Sequence, residues 1–101
     1  MREYKRDANH QSLCGYARQL GVQVYDCPWA GRYSPGWPDA MWVIAGVIVM
    51  VEIKTEAGEM EDSELEWHAL FSGPVEIVRT EADVRRVIEK CGAVRFEEGL
   101  R

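Results

Sequence analysis

Long hydrophobic runs are missing from this chain of 101 residues: the longest, Ala40 to Val51, covers 12 positions and stops at Glu52. A membrane-crossing helix needs roughly 20 apolar residues, so none is expected. Arg2, Lys5 and Arg6 near the start have no apolar segment behind them, which speaks against a secretory signal and for an intracellular, cytoplasmic protein. Cysteine is scarce. Cys14, Cys27 and Cys91 form an odd set with no close pair, suggesting neither a disulfide framework nor a zinc ribbon. A scattered zinc site using them with His10 or His68 has no spacing signature, so reduced thiols are expected. Basic charge is also short: 12 Lys and Arg against 17 Asp and Glu give a net charge of −5. That weighs against non-specific coating of nucleic acid, which rests on neutralising phosphates. The objection weakens if part of the acidic excess holds a divalent cation and if Arg2, Lys5, Arg6, Arg18 and Arg32 share one surface.

What is present is a mixture typical of soluble globular proteins, with 47% apolar and 29% charged residues. The length suits one domain over residues 1–101, because a second would leave neither part enough surface to bury. Repeats, low-complexity tracts and linkers are not seen.

Leu13, Ala17 and Leu20 recur at helical spacing between Asp7, placed to cap, and Gly21, placed to end the helix. Val22 to Tyr25 is a short β-branched strand, and Cys27 to Pro38, with three prolines and two glycines, is a loop. Ala40 to Lys54 is interrupted at Ala45-Gly46 and reads as a hairpin. Its second strand carries Val47, Val49, Val51 and Ile53 on one face and Ile48 and Met50 on the other, as a central strand covered on both sides would. Ser63 and Glu66 match a capping box, and Glu64, Trp67, His68 and Phe71 share one face of the following helix. Gly73-Pro74 stops it and Val75 to Arg79 is a strand. Thr80 caps a last helix with Val84, Val87, Ile88 and Cys91 inward. The element order is αβββαβα.

A two-residue turn at Ala45-Gly46 makes facing residues sum to 91, so the last pair is Asp39 with Glu52. Opposed side chains leave one face with Cβ atoms about 4.5–5.5 Å apart. A three- or five-residue turn would shift the sum and send the two acids to opposite faces. Like charges so placed destabilise a sheet unless something compensates, and a divalent cation does, because hard cations take carboxylate oxygens. Lys54 leaves the same face roughly 7 Å further along. Two carboxylates and an ammonium suit phosphodiester hydrolysis, in which a metal activates water and balances charge on the phosphate. Asp39 and Glu52 are the expected ligands of magnesium or manganese, with the main-chain carbonyl of Ile53 as a further one. Lys54 is expected to orient or deprotonate the water, or to stabilise the phosphorus centre. The bland alternative is a turn residue at Asp39 and the solvated end of a strand at Glu52 and Lys54.

Gly36-Trp37-Pro38-Asp39, Val51-Glu52-Ile53-Lys54-Thr55, Gly58 with Met60, Glu66-Trp67-His68, and Gly73-Pro74-Val75 through Val78-Arg79 together resemble the PD-(D/E)xK nuclease superfamily. Within it they are similar to the VRR-NUC family of structure-selective, Holliday-junction-resolvase-like nucleases, over about Arg6 to Ile88. The resemblance implies a restriction-endonuclease-like α/β fold: an αβββαβ core with a mixed sheet flanked by helices, here followed by a C-terminal helix. It also implies cleavage of DNA, branched or at a junction, by a metal-dependent homodimer; the lack of a long apolar run implies no membrane association. Two positions depart from the family. Its usual glutamine after the lysine strand is Glu64 here, a third acid expected to face the metal pocket. Its glutamate in the first helix corresponds to His10, either a hydrogen-bonded core histidine or a supporting ligand or proton carrier. Trp29, Arg32, Tyr33 and Trp37 in the long loop would stack on unpaired bases or grip phosphates, or else form a hydrophobic plug. His68 is expected to serve packing alone. Competing functions are a DNA-structure-binding module without turnover and a protein-interaction subunit that uses its tryptophans.

Overall fold

The computed structural model describes residues 8–99, with side chains as far as Gly92. Helix α1, Ala8–Gln19, ends where Gly21 takes a φ of 91°. The Gly21 amide donates to the Arg18 carbonyl and the Val22 amide to the Ala17 carbonyl, both at 3.0 Å, so the last turn closes on itself before the chain turns into the sheet. Asp7, expected to cap this helix, lies outside the described residues.

Strands β1 (Gln23–Asp26), β2 (Ala40–Ile44), β3 (Val47–Ile53) and β4 (Val75–Val78) form one sheet in that order. β1, β2 and β3 run antiparallel to their neighbours, whereas β3 and β4 are parallel, as the βαβ crossover through α3 requires. β1 begins one residue later than its apolar run suggests and takes in Asp26. The loop after it contains one helical turn, α2 (Ala30–Tyr33). Between β2 and β3, Ala45 and Gly46 both take positive φ, 50° and 81°, which suits a two-residue hairpin turn whose twist matches the strands. Ala40 therefore pairs with Val51 and Ile44 with Val47, the register that sums to 91.

That register sorts the side chains of the sheet. Ala40, Trp42, Ile44, Val49, Val51, Ile53 and Val78 pack with Leu13, Cys14 and Ala17 of α1 and with Val84, Val87 and Cys91 of α4 (Glu81–Gly99) in a single apolar core. Glu76 on β4 adds polar ties to α4, accepting hydrogen bonds from Lys90 at 2.7 Å and Arg86 at 3.0 Å. On the opposite face, β3 is not covered along its whole length. Met50 is buried, but Ile48 is 55% exposed, because only the far half of the strand lies under other elements.

Helix α3, Asp62–Leu70, lies toward that second face. Its capping box is not Ser63 with Glu66. Glu64 instead reaches back to accept from the Glu61 amide at 2.8 Å, and Ser63 sits inside the first turn. The Ser63 carbonyl meets the main chain at Gly36, which has a φ of 88° and where a Cβ would lie 2.0 Å from that oxygen. Only glycine allows this approach, and it seats the start of α3 on the loop before β2. At the other side of the crossover, the Arg79 guanidinium donates to the carbonyls of Thr55 and Gly58 and gathers the loop that leaves β3. Thr80 does cap α4, its hydroxyl accepting from the Asp83 amide at 3.2 Å.

Candidate active site

Asp39 immediately precedes β2 and faces Glu52 across the hairpin, one step beyond the Ala40–Val51 pair. One Asp39 oxygen, Oδ2, accepts the Ile53 amide at 2.8 Å, so the carboxylate stands in for the next rung of the ladder. Glu52 is 2% exposed. Its pKa is pushed up to about 10, first by burial and then by the neighbouring Asp39 carboxylate. Its Oε1 is buried and has no hydrogen-bond partner among the described residues. An orphaned carboxylate oxygen in contact with a second acid is a costly arrangement that a cation relieves. The donor set, carboxylates and a main-chain carbonyl, suits a hard divalent ion.

Lys54 follows on the same face, its ammonium 2.8 Å from Glu64 Oε1. Burial pulls the Lys54 pKa down, but the Glu64 hydrogen bond and the Glu64, Glu52 and Glu61 charges outweigh it and hold the value above that of an ordinary lysine. For Glu64, burial pulls upward and is overcome by Lys54 and the Glu61 amide, leaving the carboxyl below its usual range. The two form a charged pair at neutral pH. Lys54 is thereby fixed as a cation, suited to holding a phosphate oxygen and unsuited to taking a proton from water.

The expected quartet of Asp39, Glu52, Lys54 and Glu64 is thus brought together, with the Ile53 main chain beside it. Two neighbours join them to which the sequence assigns no chemistry. His68, one turn beyond Glu64, approaches Glu52 Oε1 to 3.9 Å, and its Nε2 is buried without a hydrogen-bond partner among the described residues. Burial, assisted by Lys54 against the opposing pull of Glu64, lowers its pKa, so it faces Glu52 as a neutral ring. His68 therefore belongs to the pocket and is more than packing. Asn9 of α1 donates to the Lys54 carbonyl at 2.6 Å and fixes the end of β3 from the other side of the sheet.

His10 does not take the place expected of a supporting group toward Glu52. It points into the opposite face of the sheet, 3.0 Å from Asp26 and 3.6 Å from Cys14. The aromatic loop residues divide. Trp37 packs on Trp67 at 5.1 Å between ring centroids, and Trp67 stacks on Phe71 at 4.6 Å while its Nε1 donates to Ser34. This half is a plug that holds α3 to the loop. Arg32 and Tyr33 are exposed, Tyr33 by 86%, and remain open to a ligand. Arg18 is exposed too, whereas Arg2, Lys5 and Arg6 lie outside the described residues.

No protein-family model matches the sequence, and no curated protein matches it. Among solved structures, the fold is similar to a VRR_NUC domain, with a TM-score of 0.66 and 27% identity, covering 82% of this chain and 97% of that one. The mixed four-stranded sheet with its flanking helices is that nuclease fold.

Proposed function

We propose that this chain, a member of the VRR-NUC family and so a nuclease-like domain, hydrolyses phosphodiester bonds in DNA with magnesium or manganese and favours branched or junction substrates. The observation that carries the reading is the buried, unpartnered Glu52 oxygen set opposite Asp39, with the Lys54 ammonium on the same face. Asp39, Glu52 and the Ile53 carbonyl would hold the ion. When bound, it supplies an activated water and offsets charge on the phosphate. Lys54 then binds a non-bridging phosphate oxygen, Glu64 keeps the ammonium protonated and aimed, and Asn9 holds the backbone from which it projects. Exposed Arg32 and Tyr33 are suited to grip phosphate and to stack on an unpaired base, which motivates the preference for branched DNA.

A cleavage panel of four-way junctions, flaps, single strands and plain duplex, with magnesium or manganese, tests this. Cleavage is expected to fall about 100-fold or more in Asp39→Ala and in Lys54→Ala. Wild-type activity no higher than theirs sinks the hydrolase reading. One observation favours a second reading, a DNA-structure-binding module with little turnover: Glu64 stands where the family resemblance implies glutamine, and its charge engages Lys54 directly. In that case the panel gives binding without products. By analogy with junction-cutting enzymes that present two sites, we further propose a homodimer. Light scattering that returns a monomer at working concentration rejects this.

A further inference from the structure

On the sheet face away from Glu52, α1 and β1 bring together three side chains outside the proposed nuclease chemistry. His10 Nε2 lies 3.0 Å from Asp26 Oδ1 and 3.6 Å from Cys14 Sγ, and one donor atom from each of the three falls within 4.8 Å of the others. His10 and Cys14 are four residues apart on α1 and so leave one helix face. Asp26 pairs with Ala40, a residue of the core beneath α1, and its carboxylate therefore points the same way. His10 and Cys14 are buried, at 5% and 1% exposure, while the Asp26 side chain sits at the rim, 40% exposed.

The two His10 distances resemble those of a coordination shell. A tetrahedral ion with bonds of about 2.0–2.1 Å to nitrogen and about 2.3 Å to sulfur sets those two ligands roughly 3.6 Å apart. The nitrogen and oxygen would separate by a few tenths of an ångström from their present contact, a small shift for a rim carboxylate. The chemistry of the ring points the same way. A single imidazole nitrogen has one in-plane direction, so it cannot at once donate a proton to the carboxylate and accept one from the thiol. A cation between them takes one lone pair from each.

We infer that His10, Cys14 and Asp26 form a second metal site, suited to a borderline ion of the zinc class and not to magnesium. Imidazole and thiolate together select such ions, whereas the Asp39–Glu52 pair offers oxygen alone. Three protein ligands leave a fourth position on the exposed Asp26 side, filled by water. On binding, the Cys14 thiol passes its proton to solvent and stays as thiolate. The ion staples α1 to β1. Because Asn9 adjoins His10 and hydrogen-bonds the Lys54 carbonyl, the staple also steadies the strand end that carries Lys54.

Titration of the reduced full chain with cobalt(II) tests the site, since a thiolate ligand gives a sulfur-to-cobalt charge-transfer band that oxygen ligands do not. The band is expected to saturate at one ion per chain and to disappear on adding zinc. It should vanish in Cys14→Ser, need about tenfold or more cobalt in Asp26→Asn, and persist in Cys27→Ser and in Glu52→Gln. Asp26→Asn lies at the rim and gives a reading even if Cys14→Ser does not fold. Absence of the band in the wild-type chain at equimolar cobalt overturns the inference and leaves a hydrogen bond between His10 and Asp26. A band that survives Cys14→Ser, or is unchanged in Asp26→Asn, overturns it as well. A wild-type chain that gives the band but cleaves no DNA would count against the proposed function and leave this site standing.

Discussion

At neutral pH, Glu52 retains a proton that an ordinary carboxyl would have lost, because burial and Asp39 raise its pKa from 4.5 to about 10. A folded-state value above the unfolded one means that Glu52 contributes to stability while both states are protonated. That contribution is lost as pH rises from 4.5 toward 10. In chelator, the melting temperature of the wild-type chain should therefore fall across this window relative to Glu52→Gln, whose amide stays neutral. Parallel melting curves for the two proteins would show that the carboxyl is not under strain. The same substitution should weaken binding of magnesium or manganese, and calorimetric titration with unchanged affinity removes Glu52 from the ligand set. Asp39, Glu52 and Lys54 were legible from the chain alone, because a two-residue turn converts sequence distance into facing pairs by arithmetic. His68 shares a helix face with Glu64, but spacing alone does not separate a place in the pocket from packing; Asn9 was not legible, since it reaches the end of β3 from a separate helix that no period links to the hairpin. For His10 the chain left two readings open, and the structure gives the buried, hydrogen-bonded one: helical spacing shows that it faces inward, but not which neighbour it meets there.

The hairpin turn has one imperfect member. Ala45 takes a φ of 50°, where a Cβ crowds the backbone, while Gly46 beside it fits without strain. Ala45→Asn makes the Asn-Gly pair favoured in such turns and should stabilise the fold by about 1 kcal/mol, read as a higher urea midpoint with unchanged slope. A lower midpoint would mean that Ala45 is held by contacts stronger than its strain. Elements whose signals are local were readable: the Ala45-Gly46 turn, the Gly21 end of α1 and the Thr80 cap of α4. The start of α3 was not. Ser63 with Glu66 and Glu61 with Glu64 share the same spacing, and the close approach of Gly36 to Ser63, distant in sequence, coincides with the second choice.

As a whole, the molecule is acidic, with a net charge of −5, whereas the proposed substrate is a polyanion. Divalent ions on its carboxylates would remove part of that repulsion, so association with DNA should depend on them as well as on ionic strength. Fluorescence anisotropy with labelled junction DNA is expected to show affinity at least about tenfold higher in calcium, which fills oxygen sites, than in chelator. Equal affinity in both would assign DNA binding to surfaces away from Glu52. No helix among the described residues is long and apolar enough to cross a membrane.

The sheet also divides labour. α1 and α4 close an apolar core on one side, while Glu52, Lys54 and α3 occupy the other. A lineage carrying this chain could exchange side chains under α3 and retune the pocket there while the apolar side goes on specifying the fold. Such a layout lets new specificities arise by drift without first surviving an unfolded ancestor.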